Sequence, residues 1–185
     1  CLSGTREAVL NALINWAEGG GINKEKRVIW LCGVAGSGKS SIALSVALQA
    51  LHDGHLGAYY RFSAAKQANL NPCNLFSTIA TQLASKHKAA EEYLVKIVKA
   101  CDIFTQKSTS PSVQLEKFVL PLLKMAGKHF SDTLIIIDAV DESGDRRERR
   151  GILTCLAHLA RQLPPFVRVL VTTRYELDIQ DFIQP

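Results

Sequence analysis

The sequence predicts an α/β domain in which a parallel sheet is covered by helices on both faces. Three observations carry this. Apolar, β-branched runs alternate with stretches of helical period along the chain. The run Thr133-Leu134-Ile135-Ile136-Ile137 is apolar without alternation, as in a strand buried on both faces. Finally, three polar segments (residues 33–40, 138–142 and 173–174) each follow directly on such a run. Ligands of open parallel sheets bind beyond the carboxyl ends of the strands, so these segments would converge on one edge.

Taken in order, residues 5–18 read as a helix, with Val9, Leu10, Leu13, Trp16 and Ala17 at helical spacing, Thr5 as N-cap and Gly19-Gly20-Gly21 as its end. After polar Asn23-Lys24-Glu25-Lys26, the first strand is Val28-Ile29-Trp30-Leu31, and a helix follows over residues 41–51. The turn His52-Asp53-Gly54 leads to a second strand, Ala58-Tyr59-Tyr60-Arg61-Phe62, then a polar loop over residues 63–71. Pro72 and Asn74 introduce a helix to about Lys86, and residues 89–101 form another. Residues 102–109 read as a loop. Ser110-Pro111 is a cap and first-turn proline opening a helix through Leu115, Phe118, Val119, Leu122 and Leu123, which Pro121 should kink. The third strand, residues 133–137, ends at Asp138. The charged run Arg146-Arg147-Glu148-Arg149-Arg150 precedes a helix over residues 152–163, stopped by Pro164-Pro165. The fourth strand is residues 167–172, and residues 176–183 start a last helix.

The chemistry concentrates after the first strand. Gly33-Val34-Ala35-Gly36-Ser37-Gly38-Lys39-Ser40 fits G-x-x-x-x-G-K-[ST] at every fixed position, between a strand and a helix that opens with Ser41. A triphosphate packs several negative charges into a small volume. Glycines let the loop wrap it, so that backbone N–H groups and a helix N-terminus point at the anion. Lys39 supplies a cation for the β- and γ-phosphates, and the Ser40 hydroxyl is a Mg²⁺ ligand. Asp138, at the end of an apolar strand, is the Walker B carboxylate expected to hold Mg²⁺ through a water. Three and four residues on, Asp141 and Glu142 are placed to orient or deprotonate an attacking water. In Thr172-Thr173-Arg174 a polar side chain would sense the γ-phosphate, and Arg174 would add charge stabilisation.

Bulk properties narrow the classes. At 185 residues the chain is one domain, with 47% hydrophobic and 21% charged residues. No apolar run is long enough to span a membrane. Five scattered cysteines (Cys1, Cys32, Cys73, Cys101, Cys155), with no C-x-x-C pair, suggest a reducing, cytoplasmic setting in which Cys32 and Cys155 are small buried hydrophobes. The net charge of +5 is spread along the chain and does not make a nucleic-acid surface. The chain begins at Cys1 and reads as a piece of a longer protein.

The segments CLSGTREAVLNALINW, VIWLCGVAGSGKSSIALSVA, YYRFSAA, FSTIATQLA, LIIIDAVDES and VRVLVTTRYE together resemble the NACHT NTPase domain of fungal multidomain signalling proteins, a member of the signal-transduction ATPases with numerous domains. The resemblance implies a P-loop NTPase three-layer sandwich with the strands in the spatial order second, third, fourth, first. It implies ATP or GTP as ligand with Mg²⁺, slow hydrolysis, and a nucleotide-controlled change from closed monomer to oligomer in innate immunity, cell death or incompatibility. It assigns residues 33–40 to Walker A, residues 138–142 to an extended Walker B, Arg174 to a sensor position and Gly4-Thr5-Arg6 to the base side. The family's fifth strand and its helical and winged-helix regions lie beyond residue 185, which would leave Val28–Leu31 at a sheet edge, self-associating or covered by the 5–18 helix. The lack of a guanine reader favours ATP, although the family includes GTP binders. Two rival readings use the same loop: a small-molecule kinase in which Arg146, Arg147, Arg149 and Arg150 form a phosphate-clamping lid, and a nucleotide-binding scaffold without hydrolysis.

Overall fold

The structure is a computed structural model and describes residues 6–63, 74–101, 110–126 and 132–183. The elements are α1 (Glu7–Ala17), β1 (Val28–Cys32), α2 (Lys39–His52), β2 (Leu56–Arg61), α3 (Leu75–Ala84) and α4 (Lys88–Cys101). They continue with α5 (Pro111–Gln114), a π turn (Leu115–Val119), α6 (Leu120–Ala126), β3 (Thr133–Asp138), a 3₁₀ turn (Val140–Glu142), α7 (Arg146–Gln162), β4 (Val167–Thr173) and α8 (Leu177–Ile183).

The four strands form one parallel sheet in the order β1-β4-β3-β2. This is the predicted three-layer sandwich and the predicted strand order. Period-two alternation splits each strand between two cores. Leu134, Ile136 and Leu170 face a smaller core with Leu13 and Trp16 of α1 and Ile42, Ala43, Val46 and Ala47 of α2. Ile135, Ile137, Val167, Val169 and Val171 face the larger core, built from α3, the π turn, α6 and α7. The central strands β3 and β4 are buried at every position, whereas β1 is half-buried throughout and, among the described residues, pairs only with β4. Helix α1 lies against α2 on one face of the sheet, and Trp16, 1% exposed, donates from Nε1 to the Lys26 carbonyl at 2.6 Å.

Several local expectations change. Arg6, with φ 60°, precedes α1 and makes no side-chain cap; Thr5, the expected cap, lies outside the described residues, as do the predicted 63–71 loop beyond residue 63, Pro72, and the predicted 102–109 loop. Pro111 does open α5, but the irregularity near Pro121 is a π turn just ahead of it; a proline has no N–H to give to the preceding turn. The charged run is inside α7, not before it. The Asp145 carboxylate accepts from the Glu148 N–H at 2.8 Å while the Glu148 carboxylate accepts from the Asp145 N–H at 3.0 Å, a capping box that starts the helix at Arg146. Cys155 is buried as expected, but Cys32, on the edge strand, is only half-buried.

Candidate functional site

All three strand-end segments meet at one cavity of about 340 Å³. Its lining includes Ala35, Gly36, Gly38, Lys39, Ser40 and Ser41 from the loop and α2, Arg61 from β2, Ala139, Asp141 and Glu142 after β3, and Thr172 and Arg174 from β4. Helix α2 has no side-chain cap, so its first N–H groups open towards this space. Gly38 turns the loop into that helix at φ 81°, a region in which a side chain is strained. A Cβ at Gly38 would also lie 2.9 Å from the Arg6 guanidinium, and one on Gly33 would lie 2.9 Å from Ser37 Oγ. Gly33, Val34 and Ser37 are not in that lining and instead fix the lysine. Lys39 Nζ donates to the Gly33 and Val34 carbonyls at 2.8 and 2.9 Å, and to Ser37 Oγ at 3.4 Å.

Asp138 is fully buried, and each of its oxygens has partners. Oδ1 accepts from the Thr172 and Ser40 hydroxyls, the latter at 3.1 Å. Oδ2 faces the Tyr59 hydroxyl at 3.4 Å and Arg61 Nε at 3.5 Å. Burial, with the Asp138 charge adding to it, pushes the Tyr59 phenol up to about 12, so the hydroxyl keeps its proton and donates. Thr172, read in the sequence as part of a phosphate sensor, is committed inward: its Oγ1 also accepts from the Ala139 N–H at 2.9 Å. Ala139 has φ 59°, which turns the chain sharply from β3 into the acid pair.

The two acids differ in role. Asp141 is 5% exposed at its side chain; Oδ1 accepts from the Arg174 backbone N–H and Oδ2 pairs with Arg174 Nε, both at 3.0 Å. Glu142, 25% exposed, meets the same guanidinium at 3.2 Å from its outer side. Behind them, buried Arg149 donates to the Asp141 carbonyl at 2.9 Å and pairs with Asp178 of α8 at 2.8 Å. That pairing holds the Asp178 carboxyl below its usual range.

The expected Mg²⁺ ligands fit a hard cation in kind. Ser40 Oγ and Asp138 Oδ1 are hard oxygen donors 3.1 Å apart, so a cation held by Ser40 would have the buried carboxylate as its neighbour. The arginines proposed as a lid are elsewhere. Arg146, Arg147 and Arg150 line a separate cavity of about 540 Å³ with Asp178 and Phe182, and Arg149 is buried. Sequence reasoning missed Tyr59 and Arg61; the one usable signal was that Arg61 ends a strand next to β3, with Tyr59 two residues before it, because nothing in their spacing is a motif.

Residues 4–174 match the family described as Nephrocystin 3, N-terminal. The chain belongs to this family. As a member of the Nephrocystin 3 N-terminal family it carries the strand-end cavity within the matched residues. No curated protein matches the chain. Among solved structures it is similar to the one titled "Structure of C. elegans PCH-2", at 18% identity and a TM-score of 0.42, over 95% of this chain and 40% of that one. Among the described residues no helix is long and apolar enough to cross a membrane.

Proposed function

We propose that this domain is a NACHT-type nucleotide switch: it binds a nucleoside triphosphate with Mg²⁺, hydrolyses it slowly, and thereby controls assembly of a longer cytoplasmic signalling protein. The observation that carries the reading is the single cavity that joins an uncapped helix N-terminus, Lys39, Ser40 and an acid–arginine cluster, with the buried Asp138 carboxylate bonded to Ser40. Phosphates in this cavity would take the α2 N–H groups and the Lys39 ammonium, which would exchange its loop carbonyls for phosphate oxygens. Ser40 and Asp138 would hold Mg²⁺, which when bound spreads the phosphate charge and supports displacement at phosphorus. Glu142 orients the attacking water and accepts its proton. Arg174 stabilises the charge that develops on the γ-phosphoryl oxygens, and Asp141 keeps that arginine in place. Glu142 must first give up its contact with Arg174, which is consistent with slow turnover. The position of Arg146, Arg147 and Arg150 away from the cavity speaks against the kinase reading.

The test is a titration of ATP, ADP, GTP and GDP with Mg²⁺, repeated with Lys39→Ala. The variant is expected to lose about 1.5–3 kcal/mol of triphosphate affinity, roughly 10- to 150-fold, as charge-assisted hydrogen bonds disappear. Unchanged affinity in a folded variant would sink the reading. Single-turnover hydrolysis by the wild type then separates switch from scaffold.

A further inference from the structure

We propose that Arg61 is a second nucleotide-sensing arginine: it is the counter-cation of Asp138 until Mg²⁺ takes that place, and it then turns to the terminal phosphate. This rests on the nucleotide reading above and adds a residue that no motif assigns.

The starting point is the cost of a buried carboxylate. Asp138 has no exposed surface, and a charge so placed needs an opposite charge or protonation. Hydrogen bonds from Ser40, Thr172 and Tyr59 are neutral. Among the described residues the one cation within 4 Å of the carboxylate is Arg61. Arg61 ends β2, which lies beside β3 at the sheet edge, so its side chain leaves the sheet at the carboxyl end and enters the cavity wall.

The contact is loose. Nε stands 3.5 Å from Oδ2 and the side chain is 57% exposed. The other two cations of the cavity are tied down. Lys39 makes three contacts within its own loop, and Arg174 is gripped by Asp141 and Glu142. Arg61 is therefore the cation that moves at least cost. A divalent ion held by Ser40 and, through a water, by Asp138 would take over the neutralisation of the carboxylate and repel the guanidinium. The guanidinium, a planar fork of five donors, then finds phosphate oxygens, which it can grip in pairs. Arg61 thus competes with the metal for one carboxylate and cooperates with the triphosphate.

The two halves have opposite signs, which makes them separable from simple damage to the fold. The experiment is fluorescent ATP and ADP binding to the wild type, Arg61→Gln and Arg61→Lys across free Mg²⁺ concentrations. For Arg61→Gln we expect half-saturation with the diphosphate at about threefold less Mg²⁺, the strength of an exposed ion pair. We also expect about tenfold loss of preference for triphosphate over diphosphate, one charge-assisted hydrogen bond. Arg61→Lys keeps the charge without the fork; it should retain the wild-type Mg²⁺ requirement and lose part of the triphosphate preference. A structural role would weaken both nucleotides alike and raise the Mg²⁺ requirement; that result, or wild-type behaviour in Arg61→Gln, overturns the proposal. Wild type that binds neither nucleotide overturns the nucleotide reading itself, and the proposal with it.

Discussion

Asp141 and Glu142 are neighbours, yet their replacement should have unlike effects on stability. Asp141→Ala removes two contacts at once. Its hydrogen bond from the Arg174 backbone N–H, at 3.0 Å, is worth about 1 kcal/mol net. Its ion pair with Arg174 Nε, also at 3.0 Å, is discounted because the arginine is 46% exposed, leaving about 0.5–1 kcal/mol. The sum, about 2 kcal/mol, corresponds to a fall in Tm of about 4–8 °C for a domain of this size. Glu142→Gln keeps the shape and loses the charge from one contact at 3.2 Å between partly exposed groups, about 0.5 kcal/mol or less and a Tm change below about 2 °C. Thermal unfolding of the nucleotide-free protein followed by circular dichroism measures both. Equal shifts, or an unshifted Asp141→Ala, would show that Asp141 does not clamp the β4 end and that the two acids share one role. Glu142→Gln should in contrast abolish single-turnover hydrolysis while sparing binding.

Two further outcomes follow from particular contacts. Asp178 pairs with Arg149, which holds its carboxyl below the ordinary value of 3.8, so the pair stabilises the fold above that pH and loses its contribution as pH falls through the lowered value; the Tm deficit of Asp178→Asn should be full at pH 7 and fade below about pH 4, and a deficit constant down to pH 2 would refute this. A Cβ on Gly57 would overlap the Thr133 methyl and lie 3.1 Å from Leu83 and 3.3 Å from the Leu134 carbonyl, so Gly57→Ala should cost about 1–3 kcal/mol in denaturant unfolding, and a neutral result would mean that β2 shifts freely at its irregular start.

The sequence by itself determined the fold class and the place where the strand-end segments meet; the strand order came only from its resemblance to a known family. Class and meeting place follow from local or pairwise rules: continuous apolar runs make central strands, glycine spacing makes a loop between strand and helix, and parallel crossovers put all the carboxyl ends on one edge. It did not show where α7 begins, because Arg146 to Arg150 lacks an apolar period and the start depends on the reciprocal bonds of Asp145 and Glu148. Nor did it single out Arg149 from three other arginines in the same run. Only the packing of α7 against α8 and the loop after β3 buries that one side chain and gives it both Asp178 and the Asp141 carbonyl. The same holds for the acids. Spacing makes Asp141 and Glu142 equivalent, and the tertiary structure separates them, since the turn at Ala139 sends one carboxylate inward to the β4 end and leaves the other nearer solvent. Arg61 and Asp138 are far apart along the chain and are brought together by the pairing of β2 with β3. Burial and long-range pairing are properties of the assembled sheet, and they decide which of several like residues carries the charge that the site uses.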